Sequence, residues 1–260
     1  MPKLEVKNVT FAYQDVKTIL KDINIILNDG ELVSLLGVSG AGKTTLFNVI
    51  AGLYRPQQGQ VLLNGEDITG QSGKISYMLQ KDMLLPYRTV EDNVALPLMI
   101  RGVGKKEARR TAGQYFAQFG IEGTQKKYPA ELSGGMRQRA ALLRTYLFSS
   151  DVALLDEPFS ALDTLTKSEM HRWYLEVMDT IRLSTVFITH DVDEAILLSD
   201  RIYLLGQRPG VITDEIVIDV PKPRPADFNL SQEFLDYKRQ IVSKIRETPR
   251  DHASNDGRRL

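Results

Sequence analysis

The fold is decided by LVSLLGVSGAGKTT, residues 32–45. Its first five residues are almost continuously apolar, which is typical of a central parallel strand that is buried on both faces. Residues 37–44 then match the pattern G-x-x-x-x-G-K-[ST], and a helix is predicted to begin at residues 42–43 and to end near Ala51. A glycine-rich turn between a buried strand and a helix predicts a phosphate-binding loop in an α/β fold.

The spacing within this loop has a physical reason. Glycines let the backbone curl so that several amide hydrogens point at one anion, and the helix that begins there adds about half a positive charge. Lys43 is expected to reach the β and γ phosphates of ATP, and the Thr44 hydroxyl is expected to be a ligand of Mg²⁺. The predicted ATP contacts of the loop are Gly37, Ser39, Gly40, Ala41, Gly42, Lys43, Thr44 and Thr45.

Strands and helices alternate on both sides of the loop, and helices cluster in the middle of the chain. Strands are predicted within residues 3–36 and at 59–63, 74–79, 152–155, 185–189, 202–205 and 211–220. Helices are predicted at 90–100, 105–119, 136–148, 165–181 and 192–198. The pattern predicts a parallel-sheet α/β core made of residues 1–86 and 146–220, with a helical subdomain inserted at 87–145.

The end of the chain is predicted to be an extension, residues 221–260. The run PKPRP at 221–225 ends the core, because proline lacks the amide hydrogen that a helix or central strand needs. Apolar residues then recur at helical spacing between residues 234 and 245, which indicates an amphipathic helix. Residues 250–260 are polar and are expected to fray.

Composition excludes several classes of protein. The sequence has 260 residues, equal numbers of acidic and basic residues and no cysteine, so disulfides and cysteine-ligated metal sites are excluded. The absence of a basic excess argues weakly against nucleic acid as a partner. Residues 1–13 lack the apolar core of a secretion signal, and the longest apolar runs fall short of the roughly 18–20 residues of a membrane helix. Any membrane role is therefore expected to come through a partner.

Two carboxylates end a predicted strand. The apolar run at 152–155 leads into Asp156 and Glu157, and Pro158 then turns the chain out of the sheet. Beside a phosphate loop, Asp156 is expected to bind Mg²⁺ through water, since Mg²⁺ keeps several waters. Glu157 is expected to be the general base for an attacking water. Read without the loop, the same pair would more often be a solvated loop edge.

A second anion-binding design occurs in LSGGMRQR, residues 132–139. Ser133 is a suitable N-cap, and Gly134 and Gly135 expose backbone amides at the positive end of a helix. Alone, the octet could be a plain capped helix. A third run, ITHD at 188–191, overlaps the end of the strand predicted at 185–189 and contains His190.

These motifs occur in the order in which they are found in ABC-type ATPases, which the chain resembles over about residues 3–220. The resemblance implies a P-loop NTPase (RecA-like) core with a parallel sheet, an N-terminal antiparallel β subdomain and an inserted α-helical subdomain. It also implies that two copies pack head to tail. Each ATP would then lie between residues 37–45 of one copy and Ser133, Gly134 and Gly135 of the other.

The resemblance implies further roles for single residues. Tyr13 would stack on the adenine ring, although Phe11 is close enough in sequence to serve instead. Gln80 would touch Mg²⁺ and the attacking water. His190 would hold the γ phosphate and orient the general base, and Asp163 would lie in the dimer contact. With Lys43 and Glu157, the residues Gln80 and His190 make up the predicted catalytic set.

The resemblance also implies partners. Residues 83–86 form a short apolar stretch that either contacts a membrane subunit or packs as a buried loop. Within the family, the chain resembles the importers of nitrate, sulfonate, taurine and thiamine precursors. This resemblance rests on Met136, on QRPG at 207–210 and on PKPRP at 221–225. The expected partners are two transmembrane permease subunits and, indirectly, a substrate-binding protein. The expected location is the cytoplasmic face of the membrane, without a transmembrane segment.

Two other functions fit parts of the sequence. A soluble ABC ATPase acting on ribosomes or nucleic acid would use the same motifs, but such relatives usually carry two cassettes or a long coiled coil. A P-loop kinase would use the phosphate loop but has no use for the octet at 132–139. The leading prediction is the ATPase subunit of a small-molecule importer.

Overall fold

The computed structural model describes residues 1–14, 17–148, 151–206, 209–225 and 227–247. Within these residues the strands are β1 (Leu4–Phe11), β2 (Leu20–Leu27), β3 (Leu32–Gly37), β4 (Gln58–Leu63), β5 (Glu66–Asp67), β6 (Ser76–Met78), β7 (Val152–Asp156), β8 (Ser184–Thr189), β9 (Arg201–Leu205) and β10 (Ile212–Val217). The α-helices there are α1 (Lys43–Ile50), α2 (Val90–Val94), α3 (Leu96–Ile100), α4 (Lys105–Gly113), α5 (Gly134–Phe148), α6 (Thr164–Ile181), α7 (Val192–Leu198) and α8 (Gln232–Glu247).

The described strands form two sheets. The smaller sheet is antiparallel and has the order β2-β1-β4-β5. The larger sheet has the order β10-β9-β3-β8-β7-β6, and its strands are parallel except for β10, which runs antiparallel to β9 at one edge. The predicted parallel core and the N-terminal antiparallel β subdomain are both present.

The central strands are buried on both faces, as their continuous apolar runs indicated. Every residue of β7 and β8 is buried, and so are the first five residues of β3. Helix α1 covers one face through Leu46 and Phe47. The other face packs against α5 and α6 together with the rest of the helical region. A sheet covered on both faces is the architecture expected of an α/β nucleotide-binding core.

The strand order brings distant motifs to one edge of the larger sheet. Strands β3, β8, β7 and β6 are adjacent and parallel, so their carboxyl ends lie side by side. The chain leaves these ends at the 37–45 loop, at His190, at Glu157 and shortly before Gln80. Ligands of open α/β sheets bind outside the carboxyl ends of the strands, so this edge is where a site is expected.

The prediction of one helix at 90–100 is wrong, because the structure has two helices there, α2 and α3, with Ala95 between them. Pro97 explains the break. It has no amide hydrogen for the carbonyl four residues earlier, and its ring clashes with that carbonyl. Proline is tolerated in the first turn of a helix, where Pro97 lies in α3.

The helix predicted at 105–119 ends at Gly113. The next three amides, from Gln114 to Phe116, donate to carbonyls three residues back, so the chain continues as tight turns. Phe116 and Phe119 are nonetheless buried. Their spacing suits a helix or a series of turns, and apolar spacing alone does not distinguish the two.

The predicted amphipathic C-terminal helix is α8, and it packs on the core. Phe228, Phe234 and Ile241 are buried in one cluster with residues of α7, β3, β9 and β10. Arg224 donates hydrogen bonds to the carbonyls of Ile196, Leu197 and Ser199 at the end of α7, at 2.6–2.8 Å. These bonds satisfy carbonyls that a helix C-terminus leaves unpaired.

No helix within the described residues combines the length and the apolar character needed to cross a bilayer. The predicted frayed tail, residues 250–260, lies outside the described residues, as do Gln207 and Arg208 of the QRPG run and His252. The subdomain boundaries at 86–87, 145–146 and 220–221 stay predictions.

Candidate active site at the carboxyl ends of the sheet

The 37–45 loop joins β3 to α1, as predicted. Gly40 and Gly42 have φ values of 81° and 102°, a region that residues with a Cβ rarely adopt. A Cβ on Gly37 would lie 2.7 Å from the carbonyl oxygen of Leu205. The loop therefore needs glycine at these positions for two different reasons, backbone conformation and close packing. Ser39, Gly40 and Thr44 are exposed, and Ala41 is buried.

Lys43 is held inside the loop. Its ammonium donates to the carbonyl oxygens of Gly37 at 2.7 Å and Val38 at 3.0 Å. Burial lowers the pKa of Lys43, and the charges of Glu157 and Asp156 oppose that effect. The ammonium is thus positioned between the loop carbonyls and two carboxylates, where an added phosphate would be a stronger partner than either carbonyl.

Thr44 and Asp156 come together across the site. The Thr44 hydroxyl donates to Asp156 Oδ2 at 3.1 Å, and the Tyr77 hydroxyl lies 3.5 Å from the same oxygen. Burial raises the pKa of Asp156, the bond from Thr44 opposes this, and the charge of Glu157 adds to it. A hydroxyl and a buried carboxylate are hard oxygen donors, and Mg²⁺ takes few protein carboxylates. The residues present therefore fit Mg²⁺.

Glu157 is held by two neighbours from different strand ends. Gln80 Nε2 donates to its Oε2 at 3.0 Å, and His190 Nδ1 lies 3.1 Å from its Oε1. The backbone of Glu157 has φ 46°, and its amide donates to the carbonyl of Ile188 at 3.0 Å. A non-glycine residue in this conformation costs energy, and such strain concentrates at functional sites.

The structure separates the two aromatic candidates for the adenine contact. Phe11 is 6% exposed and stacks on Tyr54, whereas Tyr13 is 40% exposed. The Tyr13 hydroxyl lies 3.3 Å from Thr45 Oγ1, beside the phosphate loop. Tyr13 is the exposed member of the pair and lies next to the loop, which favours it over Phe11.

Ser133 caps α5, as predicted. Its hydroxyl accepts from the amide of Met136 at 3.3 Å, and Gly134 and Gly135 form the first turn. Ser133, Gly134 and Gly135 line one cleft with Asp163, whose carboxylate caps α6 by accepting from the amide of Thr166 at 3.1 Å. No residue of the 37–45 loop lines that cleft. Gly134 also lines a cleft with Gln80, Glu157 and His190, and no residue of the 37–45 loop lines that cleft either.

The apolar stretch at 83–86 was expected either to contact a membrane subunit or to pack as a buried loop, and its residues differ in exposure. Met83 is 55% exposed and Leu84 is 7% exposed. Met83 borders a groove of about 410 Å³ between the core and the helical region. Leu53, Tyr77, Ile100 and Phe148 also line this groove. Exposed apolar surface such as that of Met83 is typical of a contact with another protein.

Sequence reasoning missed two contributors to the site. Tyr77 reaches Asp156 from β6, and Glu194 accepts a hydrogen bond from Thr189, the residue before His190. Tyr77 could have been found from strand pairing, because β6 neighbours β7 and carries it one residue before the strand ends. Glu194 is the fourth residue after His190, within the first turn of α7, where only the three-dimensional contacts reveal its role.

Comparison with known proteins identifies the family. The family described as "ABC transporter" matches residues 20–160. The chain is 39% identical over 240 residues to "Formylaminopyrimidine import ATP-binding protein ThiZ" of Halalkalibacterium halodurans, which covers 92% of this chain and 94% of that protein. It is 39% identical over 233 residues to "Nitrate import ATP-binding protein NrtD" of Synechocystis sp., and the match covers 87% of this chain and 88% of that protein.

Solved structures agree with the sequence matches. The dimeric structure of MJ0796, a bacterial ABC transporter cassette, has a TM-score of 0.70 at 28% identity and covers 83% of this chain and 98% of that chain. A dimer of MJ0796 bound to ADP and Pi, in a post-hydrolysis state, has a TM-score of 0.69 at 27% identity with the same coverage. The predicted family and fold class are confirmed: the chain belongs to the ABC transporter family and is one of its ATP-binding, ATP-hydrolysing subunits.

Proposed function

We propose that this chain hydrolyses Mg-ATP at the carboxyl edge of its larger sheet and thereby powers a small-molecule importer. The observation that carries the proposal is the position of Glu157. Its carboxylate is held between Gln80 and His190, one residue beyond the carboxylate that meets Thr44. A base, its orienting partners and a metal-binding pair are thus assembled beside a phosphate loop.

In this mechanism, Glu157 takes a proton from the water that attacks the γ phosphorus, while the bond between that phosphorus and the β–γ bridging oxygen breaks. Gln80 and His190 hold the two carboxylate oxygens in place. Lys43 and the loop amides bind the β and γ phosphates. Thr44, Gln80 and Asp156, the last through water, would hold Mg²⁺, which when bound neutralises phosphate charge.

A second copy of the chain completes each site. Ser133, Gly134 and Gly135 of one copy bind the γ phosphate held by the 37–45 loop of the other, and Asp163 contacts the partner copy. The cleft at Ser133 supports this arrangement, because no residue of the 37–45 loop lines it and a nucleotide bound there would need the loop of another copy. The dimeric form of the MJ0796 cassette supports the same arrangement.

The remaining partners are two transmembrane permeases. The groove beside Met83 accepts a short helix of a permease, and the chain is thereby held at the cytoplasmic face of the membrane. A substrate-binding protein acts indirectly, through the permeases. Relatives named as import proteins for formylaminopyrimidine and nitrate support import rather than an activity on ribosomes or nucleic acid.

Glu157→Gln tests the catalytic part of this proposal. The variant keeps the size of the side chain but cannot take a proton, so ATP binding should persist while turnover falls by about a hundredfold or more. Glu176→Gln, at an exposed position of α6, is the matched control. Release of orthophosphate measures turnover, and a fluorescent ATP analogue measures binding. Wild-type turnover in Glu157→Gln would remove Glu157 as the base.

Co-purification tests the transport part. The chain, expressed together with candidate permease subunits, should copurify with its own permeases in detergent, and Met83→Glu should weaken that association without changing ATP binding. An association unaffected by Met83→Glu would contradict the groove assignment.

A further inference from the structure

We propose that Glu194 is a positioning residue for His190, because its buried carboxylate fixes the turn between β8 and α7 and so sets the imidazole against Glu157. This inference rests on the proposed role of His190 in hydrolysis. Glu194 has no place in the phosphate loop, in the metal-binding pair or in the predicted catalytic set.

The need for such a residue follows from the exposure of His190. Its imidazole is 60% exposed, so packing around the ring holds it weakly. Its position relative to Glu157 therefore depends on the backbone beneath it. That backbone is a turn of two residues between the end of β8 and the start of α7.

Glu194 is buried to an extent that demands partners. Its side chain is 4% exposed, and a carboxylate removed from water is stable only when it is paired and hydrogen-bonded. His171 Nε2 lies 2.8 Å from Oε1, and the Lys167 ammonium lies 3.4 Å from the same oxygen. The Thr189 hydroxyl donates to the other oxygen, Oε2.

The contact with Thr189 acts directly on the turn. Besides donating to Glu194, the Thr189 hydroxyl accepts from the amide of Asp191 at 3.0 Å. Thr189 and Asp191 are the residues on either side of His190. One hydroxyl therefore ties the backbone on both sides of the imidazole, and Glu194 fixes the direction of that hydroxyl.

The same cluster is anchored to α6, an 18-residue helix. Lys167 of α6 binds Asp191 at 2.7 Å as well as Glu194. The ring of His171, also on α6, packs edge-on against Phe159 with centroids 5.0 Å apart. Phe159 follows Glu157 by two residues. Glu194 thus joins the segment that carries the base to the segment that carries its histidine.

The test compares Glu194→Gln with Asp193→Asn in the full-length chain. Asp193 is the matched control, because it is the preceding residue of α7 but binds Lys238 of α8 instead, at 2.9 Å. Glu194→Gln should lower kcat for ATP by about 10-fold to 100-fold, as loss of a supporting contact typically does, with KM little changed. Asp193→Asn should leave both constants at the wild-type values.

Histidine NMR supplies a readout that a general loss of stability would not move selectively. The sequence has three histidines, so selective ¹⁵N labelling gives few ring signals, and that of His190 is identified by its loss in His190→Ala. In Glu194→Gln the His190 signal should shift or broaden, and in Asp193→Asn it should not. An unmoved His190 signal in Glu194→Gln overturns the inference, whatever the turnover.

Further variants separate the possible failures. Thr189→Val breaks the same link from the other end and carries the test if Glu194→Gln does not fold. The double variant should be no slower than the slower single variant, since both changes break one link. Additive losses would overturn the inference. Wild-type turnover in His190→Ala would instead overturn the proposed role of His190, while the NMR comparison would still decide whether Glu194 positions its ring.

Discussion

Gly210→Ala is expected to displace the phosphate loop, because Gly210 packs against the backbone of that loop. Gly210 is buried against the start of β2, where its amide donates to Ile19 at 2.7 Å and its carbonyl accepts from Lys21 at 2.9 Å. A Cβ at this position would lie 2.4 Å from the carbonyl oxygen of Ala41, in the middle of the loop. The methyl group therefore pushes on the loop itself.

The size of the effect follows from these distances. Ordinary contact begins at 3.4 Å, so the two atoms must separate by 3.4 − 2.4 = 1.0 Å. Gly210 is tied to Ile19 and Lys21 by two hydrogen bonds, so the displacement is expected to fall on the loop. Overpacking of this kind costs about 1–3 kcal/mol of folding free energy. A loop displaced by this much loses at least one hydrogen bond to a phosphate, which weakens ATP binding about tenfold or more.

The assay is a titration with a fluorescent ATP analogue, accompanied by thermal melting. Gly113→Ala is the matched control, because a Cβ there meets nothing within 4 Å and the residue ends an exposed helix. It should leave ATP affinity unchanged. If Gly210→Ala binds ATP as tightly as the wild type does, the reasoning about the loop is refuted.

Three other outcomes are expected. Lys43→Ala should weaken ATP binding or block turnover, measured by titration and phosphate release, and near wild-type values for both would contradict the loop assignment. Ser133→Arg should leave the monomer folded but prevent ATP-driven dimerisation, measured by light scattering in a hydrolysis-blocked background; a dimer that still forms would refute the role in the partner's site. Asp92→Asn should destabilise the fold by about 2 kcal/mol at neutral pH, because Arg109 binds Asp92 through two hydrogen bonds of 2.7 and 2.8 Å.

The Asp92 prediction has a defined pH dependence. The hydrogen bond from Arg109 lowers the pKa of Asp92, and the charge of Arg109 adds to this against the effect of burial. A carboxylate with a lowered folded-state pKa contributes stability above its unfolded pKa and loses it as the pH falls through the folded value. The difference between Asp92→Asn and the wild type should therefore shrink below about pH 4. Urea unfolding at several pH values measures it, and a difference that grows in acid would contradict the assignment.

The sequence predicted the elements whose local pattern has one meaning. The apolar run before Gly37 is typical of a buried strand, and the glycine and lysine spacing after it indicates a turn into a helix. Ser133 likewise announced the start of α5 by its capping chemistry, although the helix begins two residues before the predicted residue 136. These features depend on neighbours in the chain and on little else.

The features that local sequence patterns could not predict depend on residues far apart in the chain. The approach of Gln80 and His190 to Glu157 follows from the strand order, which no local pattern contains; only the family resemblance supplied it. The break before Pro97 was missed for a different reason. The apolar residues at 90–100 have helical spacing, and this spacing masked the helix-breaking effect of Pro97. Glu194 looked like an ordinary acidic residue of a helix first turn until its burial was known.

The grip of Arg224 on the end of α7 has a practical consequence for anyone shortening the chain. The sequence motifs end before residue 220, so this position would look like a natural place to truncate. Truncation there would remove the three hydrogen bonds that the Arg224 guanidinium donates. It would also expose the apolar surface against which Phe228, Phe234 and Ile241 pack. Such a fragment would tend to aggregate during expression. A minimal catalytic fragment should therefore retain the chain through residue 247.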